Sequence, residues 1–122
     1  MIQLLSKLKP ADNCGARVLR VIHINKGSKR FYGRVGDIVT AVVDKALPTG
    51  LVKDAEIVQV LIVRTKKEFG RKDGTYIRFD DNAGVIIDKT GLPRGTRVFG
   101  PIAREIKDLG YNKIVSLAKE VL

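Results

Sequence analysis

Ile57-Val58-Gln59-Val60-Leu61-Ile62-Val63, running directly into Arg64-Thr65-Lys66-Lys67-Glu68-Phe69-Gly70-Arg71-Lys72, carries both the architecture and the chemistry of this chain. The first half is a β-branched run of strand length, apolar at consecutive positions, so it reads as a strand with much of both faces covered. The second half holds five basic residues and only one acid. Side chains of that kind do not enter a core together, because an unpaired charge loses far more hydration than packing returns. The segment is therefore expected to stand clear of the body of the fold and to meet water or phosphate.

Working outward, Val18–Ile24 and Ile38–Val43 repeat the same strand pattern, bounded by Gly, Pro, Asn and Asp. Tyr76-Ile77-Arg78-Phe79-Asp80 alternates, which sets Ile77 and Phe79 on one face and Tyr76, Arg78 and Asp80 on the other. Val85-Ile86-Ile87 supplies a fifth run. Lys26-Gly27-Ser28, Pro48-Thr49-Gly50, Asp73-Gly74 and Thr90-Gly91 mark the turns. The expected fold is mainly β: a small closed five-stranded antiparallel barrel, since closure removes exposed edges. The period then changes. Pro101 suits a first helical position, with Ile102, Ile106 and Leu109 on one stripe and Gly110 as the stop. A second short helix from Asn112 would turn Ile114, Leu117, Ala118 and Val121 inward. Short C-terminal helices are thus expected near 101–109 and 112–118.

The 122 residues fit one domain, 1–122, with an ordinary apolar content of 44% and no internal repeat or long linker. A single Cys excludes an internal disulfide and a Cys-rich zinc site. The N-terminus lacks the apolar core of a secretion signal and no run approaches a membrane span, so the chain is expected to be intracellular and soluble. Net charge is +10. Three segments hold it: Lys26–Arg34 at +4, Arg64–Lys72 at +4 and Arg94–Arg104 at +3, which leaves the remainder slightly acidic. Positive charge concentrated in three short segments points to a polyanion, nucleic acid before membrane. Phe31, Tyr32, Phe69 and Phe99 interleave with it, an arrangement open to stacking, although Phe99 reads better as an anchor for its loop.

Catalysis has little to draw on. His23 is the only histidine and sits mid-strand, nothing places Cys14 beside it, and adjacent Asp80 and Asp81 would point to opposite faces of a strand. No Walker loop and no metal-ligand spacing is present, so neither a catalytic residue, a cofactor nor a metal is assigned.

Four separated motifs in order, Ala11-Asp12-Asn13-Cys14-Gly15-Ala16-Arg17, Asp73-Gly74 through Phe79, Asn82, Val85 and Ile86, Pro93-Arg94-Gly95-Thr96-Arg97-Val98-Phe99-Gly100-Pro101, and Ile114-Val115-Ser116-Leu117-Ala118 with Glu120-Val121-Leu122, closely resemble the L-fourteen family of large-subunit ribosomal proteins in its bacterial or organellar form. The resemblance runs end to end. It departs from the family's usual Ser at Cys14, a small residue at Val60 and Pro at Lys119. The resemblance implies a five-stranded barrel with a projecting β-ribbon and short C-terminal helices, a structural constituent of the large ribosomal subunit that binds large-subunit rRNA and contributes to the intersubunit interface. It implies small-subunit rRNA across that interface, ribosomal proteins L-three and L-nineteen as neighbours and ribosomal silencing factor as a further partner. The location implied is cytoplasmic, in the large ribosomal subunit, or an organelle matrix or stroma. No enzyme is implied, and no membrane partner.

The expected rRNA-binding residues are Lys26, Lys29, Arg30, Arg34, Arg64, Lys66, Lys67, Arg71, Lys72, Arg94 and Arg104, and the expected subunit-interface or silencing-factor surface is Thr96, Arg97 and Lys113. Arginines would offer bidentate forks to phosphates and lysines point charges. If about eight phosphates are neutralised, affinity should fall with salt at a log–log slope near −6 to −7. The competing reading is a free-standing RNA-binding barrel or RNA chaperone, which the charge pattern alone would serve equally well.

Overall fold

Strand alternation builds the molecule around two apolar cores. The computed structural model describes residues 2–25 and 32–122. In chain order the elements are β1 Ile2–Gln3, β2 Lys7–Pro10, β3 Ala16–Ile24, β4 Tyr32–Gly33, β5 Ile38–Ala46, β6 Ile57–Arg64, β7 Phe69–Gly70, β8 Tyr76–Ile77, β9 Ala83–Ile87, β10 Pro101–Ile102, α1 Glu105–Asp108, α2 Asn112–Leu117 and β11 Glu120–Val121. Strands β2, β3, β5, β6 and β9 close into a barrel in that order. On β6, Val58, Val60 and Ile62 point into the barrel core with Leu8, Leu19, Val21 and Val39. The intervening Leu61 and Val63 face outward into a second core with Val85, Ile87, Ile102, Ile106 and Ile114. That is why β6 is apolar on both faces: one packs the interior, the other is covered by the C-terminal segment.

Four barrel seams are antiparallel, as expected, while β2 and β9 close the ring in parallel, with Lys9 opposite Ala83 and Pro10 opposite Gly84. No hairpin joins these two strands, so their relative direction is not set by a tight turn. Lys9 N donates to Asn82 O and Ala11 N to Gly84 O, both at 2.9 Å, and Pro10, which lacks an N–H, falls between the two donors. Register shifts along β3 against β5 bend that strand around the ring.

Two expectations are corrected. The fifth barrel strand is Lys7–Pro10, whereas Tyr76–Asp80 contributes only β8, paired with β7 in a separate two-stranded ribbon. The face assignment within that stretch holds: Phe79 is buried and Ile77 half-buried, with Tyr76, Arg78 and Asp80 exposed. The helix expected from Pro101 starts later. Pro101–Ile102 is a strand parallel to β11, and only Glu105–Asp108 is helical. The Pro101 carbonyl, which a helix would direct to the next turn, accepts a hydrogen bond from Arg64 instead.

Gly110, at φ +93°, ends this turn as expected. The α2 helix lies where expected, and Ala118 beyond it is extended (φ −80°, ψ 141°), a conformation that a following proline favours and that Lys119 retains. At four and six residues these helices could not persist alone. Burial of Ile102, Ile106 and Ile114, each fully enclosed, holds them at about 1.5–3 kcal/mol per side chain. Among the described residues no helix is long and apolar enough to cross a membrane.

Candidate nucleic-acid interface

The middle basic segment divides at Arg64. The last residue of β6, Arg64 is only 7% exposed and its guanidinium makes four hydrogen bonds within the chain. Nε donates to Asp81 Oδ1 at 2.6 Å and Nη2 to Asp81 Oδ2 at 3.3 Å, while Nη1 donates to the carbonyls of Phe99 (2.9 Å) and Pro101 (3.0 Å). The same fork that suits a phosphate here grips a carboxylate and two peptide groups. Gly100 makes room for it: its φ is +78°, and a Cβ there would stand 2.5 Å from Nη1. Hydrogen bonding from Arg64 holds the Asp81 carboxyl below its ordinary range. Arg64 is thus a clamp between the barrel and residues 99–101, whereas its charge in the sequence marks it only as a phosphate contact.

Beyond it the charge emerges. Lys66, Lys67 and Lys72 are exposed around the β7–β8 ribbon, and Arg78 joins them from just beyond β8. The alternation of residues 76–80 puts Arg78 on an outward face but assigns it no role. Lys67 pairs with neighbouring Glu68 at 3.2 Å, an exposed contact worth little in water. Arg71 is different: its Nε meets Glu105 Oε1 of α1 at 2.9 Å, tying the ribbon to the C-terminal helices. Arg94 is likewise engaged, with Glu56 at 2.8 Å and the Leu51 carbonyl at 3.4 Å. Arg34 and Arg104 are exposed. Lys26, Lys29 and Arg30, with Phe31, lie outside the described residues.

The loop of Thr96 and Arg97 is held by a residue whose role the sequence does not disclose. Asn13 Oδ1 accepts from the backbone N–H groups of Thr96 (2.9 Å) and Arg97 (3.1 Å), and Asn13 Nδ2 donates to Thr96 Oγ1 at 2.8 Å. Beside it, buried Asp12 accepts from Ile86 N at 3.0 Å and from the Cys14 thiol at 3.3 Å. Burial raises the carboxyl of Asp12 above its ordinary range. Phe99 N bonds Ala11 O at 2.6 Å and Arg94 N bonds Ile86 O at 3.0 Å, which completes the attachment. Two motifs separated by some eighty residues are therefore one structural unit. Both Thr96 and Arg97 present exposed side chains, and Lys113 is exposed in the first turn of α2. No hydrogen bond among the described residues joins Lys113 to that loop. Phe99 is 51% exposed, so its backbone, rather than its ring, anchors the loop.

Cys14, His23, Asp80 and Asp81 do not converge. Burial, more than the neighbouring Asp12 charge, pushes the Cys14 thiol up to about 12, far from a thiolate nucleophile at neutral pH. His23 is exposed on β3 while Cys14 is fully buried. Asp80 is exposed, and Asp81 is taken by Arg64.

The chain is 60% identical over 121 residues, 99% of each chain, to the large ribosomal subunit protein uL14 of Petrotoga mobilis strain DSM 10674 / SJ95. A family model, ribosomal protein L14p/L23e, matches residues 1–122. The chain belongs to the L14p/L23e family of ribosomal proteins, structural components and not enzymes.

Proposed function

We propose that this protein is a structural constituent of the large ribosomal subunit that binds large-subunit rRNA through its exposed basic rim and contributes, through the braced loop, to the subunit interface. The observation that carries the reading is the partition of charge. Lys66, Lys67, Lys72 and Arg78 leave the fold on a thin ribbon, whereas Arg64 is consumed inside it. Exposed cations at this density suit the phosphates of folded RNA, recognised mainly by shape and backbone. Lys26, Lys29, Arg30, Arg34 and Arg104 complete the proposed rRNA contacts, with Arg71 and Arg94 contributing charge from within ion pairs.

Thr96, Arg97 and Lys113 form the proposed surface toward small-subunit rRNA and ribosomal silencing factor, and L-three and L-nineteen are the proposed protein neighbours. The proposed location is the large ribosomal subunit in the cytoplasm, or in an organelle matrix or stroma if the source is organellar. Cosedimentation with ribosomal subunits of its source, followed by a high-salt wash, tests this. Retention on the large subunit is the expected result. Release into the free fraction at modest salt would favour a transient RNA-binding module such as an RNA chaperone.

A further inference from the structure

The β7–β8 ribbon carries an aromatic ring that packing does not account for. Tyr76 is 74% exposed, more than any other large apolar side chain among the described residues. It stands opposite Gly70 in the ribbon, where a Cβ on Gly70 would meet the ring edge at 3.4 Å. An aromatic covering a cross-strand glycine is a common way to shield bare backbone in a sheet. Such packing steadies the ring on one side and leaves the rest of it in water, although exposing an aromatic surface of this size forgoes the gain of burying it.

The surroundings identify what would cover it. Tyr76, Ile77, Arg78 and Glu68 line an open hollow of about 310 Å³. Arg78 lies two residues on, on the same outward face, and Lys66, Lys67 and Lys72 are exposed on the adjoining segments. An apolar protein surface would have to desolvate this charge, whereas a nucleic-acid strand brings phosphates to it. The carboxylate distinguishes between parts of the strand. Glu68, although its Oε1 is paired with Lys67 at 3.2 Å, is a carboxylate that accepts hydrogen bonds, which the amino edge of a base can donate and a phosphate diester cannot.

We propose that Tyr76 is a stacking platform for an unpaired nucleotide of large-subunit rRNA. The base lies on the phenol ring with its amino edge toward Glu68, and Arg78 takes the adjoining phosphate. This rests on the rRNA reading above and adds to it a site for a splayed-out base, where the lysines alone would read only backbone. Stacking on an aromatic is tolerant of base identity, so Glu68 supplies such discrimination as the site has, favouring bases that carry an amino group.

The chain has no Trp, so Tyr76→Trp introduces a single fluorescent reporter at the site. The probe is large-subunit rRNA of the same source, stripped of protein, titrated with the full chain. Quenching of the introduced indole at saturation is expected, together with binding by Tyr76→Leu weakened about tenfold or more at an unchanged salt slope, and near-normal binding by Tyr76→Phe. Leu keeps the cover over Gly70, and thermal unfolding of each variant checks the fold. An unquenched indole in Tyr76→Trp with wild-type affinity in Tyr76→Leu would overturn the platform. If Lys66→Glu/Lys67→Glu then still weakened binding, the rRNA reading would stand and Tyr76 would face a protein or solvent. Failure of the unaltered protein to bind this rRNA in a salt-dependent way would overturn both readings.

Discussion

The ribbon that bears Lys66, Lys67 and Lys72 and the loop that bears Thr96 and Arg97 are both basic, yet they are built on opposite terms. The ribbon is tied at its base, where Lys66 N donates to Asn82 Oδ1 at 2.7 Å and Phe79 N to Thr65 O at 3.0 Å, but beyond it has two residue pairs of sheet and one ion pair to α1, Arg71 with Glu105, among the described residues. The loop is fastened from three directions: by Asn13 at its apex, by Arg64 at its end and by backbone bonds to Ala11 and Ile86. A polyanion can be met by charges that adjust to it, whereas a surface read by shape must be formed in advance. A shared positive charge therefore does not mean a shared use.

The strongest way to break the comparison is at Arg64. Arg64→Met should cost about 3 kcal/mol, because it leaves the partly buried Asp81 carboxylate without its fork and two carbonyls without a donor. Arg64→Lys should recover little of this, since an ammonium cannot reproduce the planar grip. Equilibrium unfolding in denaturant measures it. A midpoint equal to wild type would leave Arg64 in the RNA-facing set alone.

Charge reversal on the ribbon should do the opposite. Lys66→Glu/Lys67→Glu should leave unfolding within about 0.5 kcal/mol of wild type, since both side chains are exposed. In rRNA binding it should lower affinity at least tenfold and reduce the log–log salt slope by about two, one for each phosphate no longer neutralised. Filter binding across a salt series reads both quantities, and an unchanged slope would detach these lysines from phosphate.

Asn13→Ala should cost about 1–2 kcal/mol through the loss of three hydrogen bonds on an exposed edge. Asn13→Asp should recover part of this, because the acceptor for the two N–H groups survives. Acid provides a gentler probe of the clamp. Hydrogen bonding to Arg64 depresses the folded carboxyl of Asp81, so its contribution is complete above the ordinary carboxylate range and is lost as pH falls through the depressed value. The stability difference between wild type and Asp81→Asn should therefore be greatest near neutral pH and shrink in acid, as measured by denaturant titrations at a series of pH values.

What sequence discloses and what it conceals follow one physical division. Consecutive β-branched runs mark three barrel strands, but the outer cover that their two apolar faces suggest lies over Leu61 and Val63 of β6 and not over β3, where Ile22 is exposed. Lys7–Pro10 stays hidden because Leu8 is its only inward aliphatic and it ends in Pro. Its place is decided by β9, more than seventy residues away. The clamp at Arg64 is hidden for the same reason: charge is local in sequence, but Asp81 and the Phe99 and Pro101 carbonyls are not. Asn13 stands in plain view in Ala11–Arg17, yet its polar side chain gives no sign that it bonds Thr96 and Arg97. Lys66, Lys67 and Lys72 are legible as exposed because nothing long-range intervenes.

Arg97 sharpens the comparison with the smallest structural effect. Its backbone N–H is bound by Asn13 while its side chain is exposed, so the loop's rigidity and the loop's surface reside in different parts of one residue. Arg97→Glu should change unfolding by no more than about 0.5 kcal/mol and leave incorporation into large subunits intact, because the Asn13 bond uses only its main chain. The effect should fall on subunit joining, measured by light scattering as large and small subunits associate, and on capture of silencing factor where one is present. Loss of incorporation would make Arg97 an anchor to rRNA, and the braced loop would then belong with the ribbon as a second phosphate-binding surface.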